Sequence, residues 1–481
     1  MRATHKSFTT SALSLLAGLA LVATLGVDAG VGQIENKAQG KPNIVFVLTD
    51  DQMPGTERHM PALQNNVVRE GVRFPNTVST YPLCCPGRAV LQRGQYPHNT
   101  KIYGNSEPQG GWEKFRRLGL QQSTVATWLH GSGYKTGLFG KYMNNYRDRL
   151  IPPGWDRWYA WNGVNEGWTS VNDQGNVERL DRRQADVLVA NNAAAFLENR
   201  VDDPGPVFAF VNFGAMHHPF PYSSVDAKKF KGAKVPRTPA FDEADVSDKN
   251  ADVRRQGRLT RGEISALDSD YRQGLRSLQR VDRFIGEASD ILRWRGEMDN
   301  TYFVFYTDNG AHFGQHRLPH GKLQPYEEDI NFPLIVRGPG VRKGVADARL
   351  VGNHDIAPTI ADMGNARAPA FVDGRSVMPL ATGAATSWPR TAILSIREPD
   401  LDPPPRWEVL RMRDEKYIRF ENGEKEYYDL TADPYELRSD PGSVSPEVRA
   451  HWENRMDAIG SCAGAECRTA ENAPAYPPRT P

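Results

Sequence analysis

Cys84-Cys85-Pro86-Gly87-Arg88 sets a thiol, a proline and a guanidinium at alternate positions, and Ala89-Val90-Leu91-Gln92-Arg93-Gly94 follows directly. Pro86 suits the first position of a helix, where its fixed φ fits and its missing N–H is not needed. Gly94 suits the position just past a helix end. The segment is therefore expected to be a short helix with Cys84 just ahead of its first turn, where unpaired N–H groups and the helix dipole favour an anion. A thiol there is either a low-pKa nucleophile or one of two cysteines buried in a turn. A second chemical group lies elsewhere. Asp50-Asp51 and Asp308-Asn309 supply three carboxylates and an amide oxygen, a hard-oxygen set suited to Ca²⁺ or Mg²⁺. Each pair alone would read as a cap or turn, but both follow similar apolar runs.

Those runs imply the elements that position the polar residues. Asn43 to Leu48 and Tyr302 to Tyr306 are nearly continuous apolar stretches, as in strands buried on both faces. Val207 to Phe213 is a third, with His217 and His218 just beyond, and Thr136 to Phe139 is a fourth, followed by Gly140-Lys141. Helical spacing fills the intervals at Met60 to Glu70, Thr124 to His130, Asp186 to Asn199 and Ser265 to Leu292. Alternating strands and helices predict an α/β fold, a large and mostly parallel sheet sandwiched by helices. Ligands in such folds bind beyond the carboxyl ends of the strands, where these polar residues would converge.

The 481-residue chain has room for a large domain and a smaller one. Its formal net charge of +1 argues against a dedicated nucleic-acid partner. Arg2 and Lys6 precede an uncharged run from Ser7 to Val27, and Val27-Asp28-Ala29 is an acceptable cleavage site. Residues 1–29 thus read as a signal peptide directing the protein outside the cytoplasm, or as an uncleaved anchor of near-spanning length. No later segment is a candidate membrane span. Cys462 and Cys467 flank a four-residue loop and are expected to form a local disulfide in an exported protein.

Taken together, the cysteine segment and the strand-end ligands resemble the sulfatase family of the alkaline-phosphatase superfamily, over nearly the whole chain from about Lys41. Asn43-Ile-Val-Phe-Val-Leu-Thr-Asp-Asp-Gln52 resembles the family's opening strand, and Tyr306-Thr-Asp-Asn-Gly310 its second metal segment. Phe139-Gly-Lys-Tyr-Met-Asn-Asn-Tyr146, Ile151-Pro-Pro-Gly-Trp155, Cys84-Cys85-Pro86 and Gln95-Tyr96-Pro97-His98-Asn99 resemble the N-acetylglucosamine-6-sulfatase and extracellular heparan-sulfatase branch. Gly321-Lys322, Tyr326-Glu327, Phe332 to Gly340 and Tyr427 to Leu437 continue the pattern. The resemblance implies that a formylglycine-generating enzyme oxidises Cys84 to an aldehyde, whose hydrate attacks sulfur and later expels sulfate. It also implies a cation held by Asp50, Asp51, residue 84, Asp308 and Asn309. Arg88, Lys141, His217 and Lys322 would hold the diol or the sulfate, with His218 the weaker alternative to His217. The implied substrate is a sulfate ester on a sugar or glycan, similar to 6-O-sulfated glucosamine. A phosphatase or phosphonate monoester hydrolase on the same scaffold, or an impaired glycan-binding protein, are the alternatives.

The chain departs from the pattern at Met143, where many relatives have a His that serves as a base; His98, His312 and His316 are the candidate stand-ins, whereas Asn144 could orient a group there but cannot take the proton. Cys85, with no Pro two residues on, is expected to stay reduced and buried. Ser223 to Gly262 is polar and weakly periodic, and is expected to form a surface excursion near the site. The catalytic domain is expected to span 41–389. A C-terminal α+β subdomain over 390–481 would hold a strand at Thr391 to Ile396, a hairpin turning at Asn422-Gly423 and a helix opening at Ser445-Pro446.

Overall fold

The four apolar runs form adjacent parallel strands, and their registers bring the functional segments to one edge. The computed structural model describes residues 40–165, 168–199, 205–398 and 406–476; the expected signal peptide lies outside them. The main sheet contains β1 (Asn43–Thr49), β2 (Gly71–Phe74), β3 (Lys135–Gly140), β4 (Arg157–Asn165), β5 (Trp168–Asp173), β6 (Asn176–Asp181), β7 (Val207–Asn212), β8 (Thr301–Thr307), β9 (Leu334–Arg337) and β10 (Val345–Ala346). Their spatial order is β10-β2-β9-β8-β1-β7-β3-β4-β5-β6. The five central strands, β8-β1-β7-β3-β4, are all parallel, while antiparallel pairings occupy both margins. Thr49 pairs with Thr307, Leu48 with Asn212, and Asn212 with Gly140. Consequently Asp50-Asp51, Asp308-Asn309, the His217 loop and Lys141 all emerge at the same edge.

The strands are buried on both faces because helices flank the sheet. Helices α1 (Cys84–Arg93), α2 (Val125–Gly131) and α5 (Ile356–Met363) pack on one another, and α3 (Arg182–Glu198) packs on α4 (Arg261–Trp294). Thr260 caps α4 in a reciprocal box with Glu263, which starts this helix before the expected Ser265. Similarly, Asp181 caps α3 by accepting from the Arg183 N–H, five residues before Asp186, where the helix is expected to begin. Gly94 ends α1 at φ +66°, and a Cβ there would stand 2.9 Å from both Pro358 Cδ and Val372 Cγ1. Gly94→Ala is therefore expected to lower stability by about 1–3 kcal/mol, combining backbone strain with overpacking. Urea denaturation checks this, and an unchanged midpoint would refute it.

A four-stranded antiparallel sheet follows, in the order β11 (Ala392–Arg397), β12 (Trp407–Met412), β13 (Glu415–Phe420), β14 (Lys425–Asp429). The β13–β14 hairpin turns at Gly423, φ +87°, as expected of Asn-Gly. Helix α6 (Pro446–Ser461), capped by Ser445, packs on β11 and β12. It runs through Gly460 rather than ending there. Cys462 and Cys467 are disulfide-bonded.

The segment from Ser223 to Gly262 is largely exposed, but part of it faces protein: Val246, Lys249, Asn250 and Val253 are buried. The Asn250 N–H donates to Glu426 of β14 at 2.6 Å, and Lys249 pairs with Glu243 at 3.3 Å. This polar stretch anchors the C-terminal sheet, because its charges are compensated internally rather than by water. Among the described residues no helix is long and apolar enough to cross a membrane.

Candidate active site

Cys84 lies inside the first turn of α1, after Leu83 in extended conformation, rather than ahead of the helix. Pro86 consequently sits third instead of first. Gly87 lets the helix lie against the metal segment, since a Cβ there would come within 2.6 Å of the Asp308 carbonyl oxygen. The buried Cys84 Sγ is 3.5 Å from Asp50 Oδ1, 3.9 Å from Asp51 Oδ1 and 2.8 Å from Lys322 Nζ. Burial, reinforced by the Asp50 charge, pushes the thiol up to about 12, outweighing Lys141 and Lys322. Of the two readings of this thiol, the low-pKa one does not hold: at a helix start, desolvation and carboxylates override the dipole, and the unmodified side chain is a poor nucleophile near neutrality.

Around that sulfur the strand-end residues form one cluster. Asp50, Asp51 and Asp308 each offer an oxygen within 4.8 Å of the others. Asn309 Nδ2 donates to Asp51 Oδ1 at 2.7 Å, which leaves its amide oxygen buried with no hydrogen-bond partner. An orphaned amide oxygen beside three carboxylates fits a hard divalent cation, because such an oxygen otherwise carries the full cost of desolvation. Three cations surround the carboxylates. Arg88 Nε donates to Asp308 at 2.9 Å, its Nη1 to the Lys141 carbonyl at 2.8 Å, and its Nη2 lies 3.5 Å from Asp50. Lys141 pairs with Asp50, and Lys322 with Asp51 at 2.5 Å.

These charges set the titration of the cluster. Burial opposes ionisation of Asp50, but Lys141, His217, Arg88 and Lys322 together hold it well below the usual range. Asp51 is also lowered, with Lys322 the strongest force opposing burial. Asp308 goes the other way, pushed up to about 6 by burial and the Asp50 charge. His217 Nε2 is 3.5 Å from Asp51, and its Nδ1 lies 2.6 Å from the His218 carbonyl. A carbonyl only accepts, so Nδ1 carries the hydrogen and Nε2 is the nitrogen presented to the cluster. The loop that bears His217 is clasped to Asp50 by paired main-chain bonds, Asp50 N–H to Ala215 O at 2.8 Å and Met216 N–H to Asp50 O at 2.5 Å. The structure thus brings together Asp50, Asp51, Cys84, Arg88, Lys141, His217, Asp308, Asn309 and Lys322.

The family model described as Sulfatase matches residues 42–366, which hold every one of these residues. The chain belongs to the sulfatase family. A second model, N-sulphoglucosamine sulphohydrolase, C-terminal, matches residues 314–458 of the chain. It is 33% identical to the extracellular sulfatase SULF-1 homolog of Drosophila melanogaster over 71% of this chain, and it spans only 31% of that relative. It is 29% identical to N-acetylglucosamine-6-sulfatase of Capra hircus, covering 90% of this chain and 86% of the relative. A solved structure in complex with its substrate D-glucosamine-2-N,6-O-disulfate superposes with TM-score 0.75 at 22% identity, over 90% of this chain and 99% of the other.

Among the described residues, none of the three histidine stand-ins bonds the Cys84 sulfur, whose partners are Asp50, Asp51 and Lys322. His98 Nε2 bonds the Cys462 carbonyl at 3.0 Å, beside the disulfide. His312 is buried against Asp329 at 2.9 Å, and His316 against Glu243 at 2.7 Å. Met143 is buried, with its sulfur 3.4 Å from Gln92 Nε2. Cys85 is buried and unbonded to another cysteine, as expected, and burial pushes its thiol up to about 11. Three residues near the site escaped sequence reasoning. His320 feels the charge of Asp51 and His217, and burial lowers it to about 4, so it is neutral. Its signal was its place two residues before Lys322. Asp186 and Trp161 line the cavity of about 240 Å³ that opens beside Asp50, Lys141, Met143 and His217. Asp186 was visible only as one more acid on an amphipathic helix.

Proposed function

We propose that this chain hydrolyses sulfate esters on a sugar or glycan, similar to 6-O-sulfated glucosamine, outside the cytoplasm. The observation that carries this reading is a buried residue 84 at the centre of three carboxylates, an amide oxygen and three cations. The relative named N-acetylglucosamine-6-sulfatase and the solved complex with D-glucosamine-2-N,6-O-disulfate support the substrate class. Export rests on the N-terminal run and on relatives named extracellular sulfatases. In this reading residues 41–389 form the catalytic domain and 390–481 the C-terminal subdomain.

Asp50, Asp51, Asp308, Asn309 and residue 84 would hold the cation, Ca²⁺ or Mg²⁺, which when bound polarises the oxygen nucleophile at residue 84. Oxidation of Cys84 to formylglycine by a formylglycine-generating enzyme supplies that oxygen. The chain's own side chains do the rest. With three cations already balancing three carboxylates, a divalent ion leaves two positive charges in excess. A monoanionic sulfate ester and an ionised nucleophile offset both, so this electrostatic arrangement is built for an anionic substrate. Arg88, buried and bonded to Asp308 and the Lys141 carbonyl, holds the ligands in place. Lys141 and Lys322 are flexible point charges, suited to contacting sulfate oxygens and to neutralising charge on the departing alcohol. His217 presents Nε2 for the proton exchanged with the leaving oxygen.

The scaffold also occurs in a solved phosphonate monoester hydrolase of Silicibacter pomeroyi, with TM-score 0.63 at 19% identity, so the fold alone does not choose the ester. Glucosamine 6-sulfate and glucosamine 6-phosphate separate the two chemistries on one alcohol. Faster turnover of the sulfate is expected. Faster turnover of the phosphate would overturn the assignment.

A further inference from the structure

The cavity beside Asp50 holds polar groups that sulfate chemistry does not use. Three side chains in its wall carry a buried polar atom without a hydrogen-bond partner: Asp186 Oδ2, Trp161 Nε1 and Asn144 Oδ1. Each such group costs about 1–3 kcal/mol when left unsatisfied, so a group that pairs with it on binding gains that much. Three around one cavity, next to Asp50 and His217, point to a ligand that completes them.

Two of the three are fixed to the same residue. The Gly214 N–H donates to Asp186 Oδ1 at 2.9 Å, which holds the carboxylate and leaves Oδ2 as the open acceptor. The Trp161 ring lies on Gly214 so closely that a Cβ there would be 2.4 Å from Cη2. Trp161 sits where the β4–β5 register breaks, between Trp161 and Val164, and such irregularities re-aim a side chain. Gly214 lies three residues before His217, so an acceptor and a donor are tied to the loop that also positions the catalytic imidazole. Asp186 is 6% exposed, and burial pushes it up to about 6, so near neutrality it is mainly a carboxylate that only accepts.

A carboxylate acceptor and an indole donor complement adjacent hydroxyls of a pyranose, one donating and one accepting. We propose that Asp186 and Trp161 recognise ring hydroxyls of the sulfated sugar and so select a sugar ester over other sulfated alcohols. This rests on the sulfate-ester reading above and adds the specificity-determining residues.

The test compares glucosamine 6-sulfate with 4-nitrophenyl sulfate, which has no ring hydroxyl, on the full-length, modified enzyme. Asp186→Asn keeps the shape and removes the charged acceptor; Trp161→Phe keeps the ring on Gly214 and removes the N–H. Each variant is expected to lose roughly 10- to 100-fold in kcat/KM on the sugar ester, mostly through KM, while the aryl ester stays within about twofold. Equal losses on both esters would mean that the residues only support the fold. No loss on either would mean that water satisfies these atoms. Both results overturn the proposal. If the unsubstituted enzyme cleaves neither ester, the sulfatase reading fails, and calorimetric binding of glucosamine 6-sulfate then decides separately. Equal affinity for the unsubstituted protein and Asp186→Asn overturns hydroxyl recognition; weaker binding to the variant upholds it.

Discussion

Cys84→Ala is expected to abolish turnover, by about 10⁴-fold or more in kcat, while leaving a folded protein. The side chain lies at once within 4 Å of Asp50, Asp51 and Lys322. Removing it deletes the covalent route instead of weakening it, because no neighbour can take over an attack at sulfur. The structural cost is small. Loss of one small buried side chain, thiol or aldehyde, leaves a cavity worth about 1 kcal/mol, and the three carboxylates keep their three cations. Circular dichroism and a melting curve establish the fold, and sulfate release establishes activity. Retained turnover would show that another residue is the nucleophile. Cys84→Ser is expected to be equally inactive in multiple turnover, since its sulfate adduct has no internal route for release.

Arg88→Met has the second-largest expected effect, and it acts on stability as well as rate. The guanidinium is 2% exposed and is the direct partner of Asp308, with Asp50 close by. Breaking a buried ion pair on one side leaves the other charge unpaired, which costs about 3–5 kcal/mol. Asp308 is already pushed up to about 6 with Arg88 in place. Without Arg88 its carboxyl rises further and holds its proton near neutrality, and a protonated ligand binds a cation poorly. Activity is therefore expected to fall by about 10³-fold or more at fixed cation concentration. The same variant should lose most of the rise in melting temperature that saturating Ca²⁺ gives the unsubstituted protein. A variant with normal thermal response to Ca²⁺ would show that Arg88 does not support the cation ligands.

Four of the five central parallel strands were legible because each is a nearly continuous apolar run with its functional residue close behind, as at Leu48-Thr49-Asp50 and Tyr306-Thr307-Asp308, whereas β4 (Arg157–Asn165) was not read. A buried parallel strand has no polar face to blur that signal. The margins were not legible: β5 and β6 (Trp168 to Asp181) are largely polar and pair only as hairpins, so their pattern resembles that of loops. The site shows the same division. Residues at strand ends and in the cysteine segment follow from sequence, because local structure alone delivers them. Asp186 and His320 do not, since their environments come from packing against Gly214 and against Phe313, 4.2 Å from the His320 ring. Lys249, inside the polar excursion, is buried between acids supplied from the same excursion, which its sequence neighbourhood does not signal. The thiol of Cys84 shows the limit most clearly. Its helix-start position was readable, whereas the burial and carboxylates that raise its pKa are tertiary facts.

The central claim is that Cys84 is the precursor of the nucleophile and not the nucleophile itself. Mass spectrometry of the peptide containing residue 84, from protein made in a host with a formylglycine-generating enzyme and tested for turnover in parallel, addresses it directly. The account predicts the aldehyde or its hydrate at residue 84, with activity rising in proportion to the modified fraction. Full activity in protein whose residue 84 is entirely an intact thiol would contradict it.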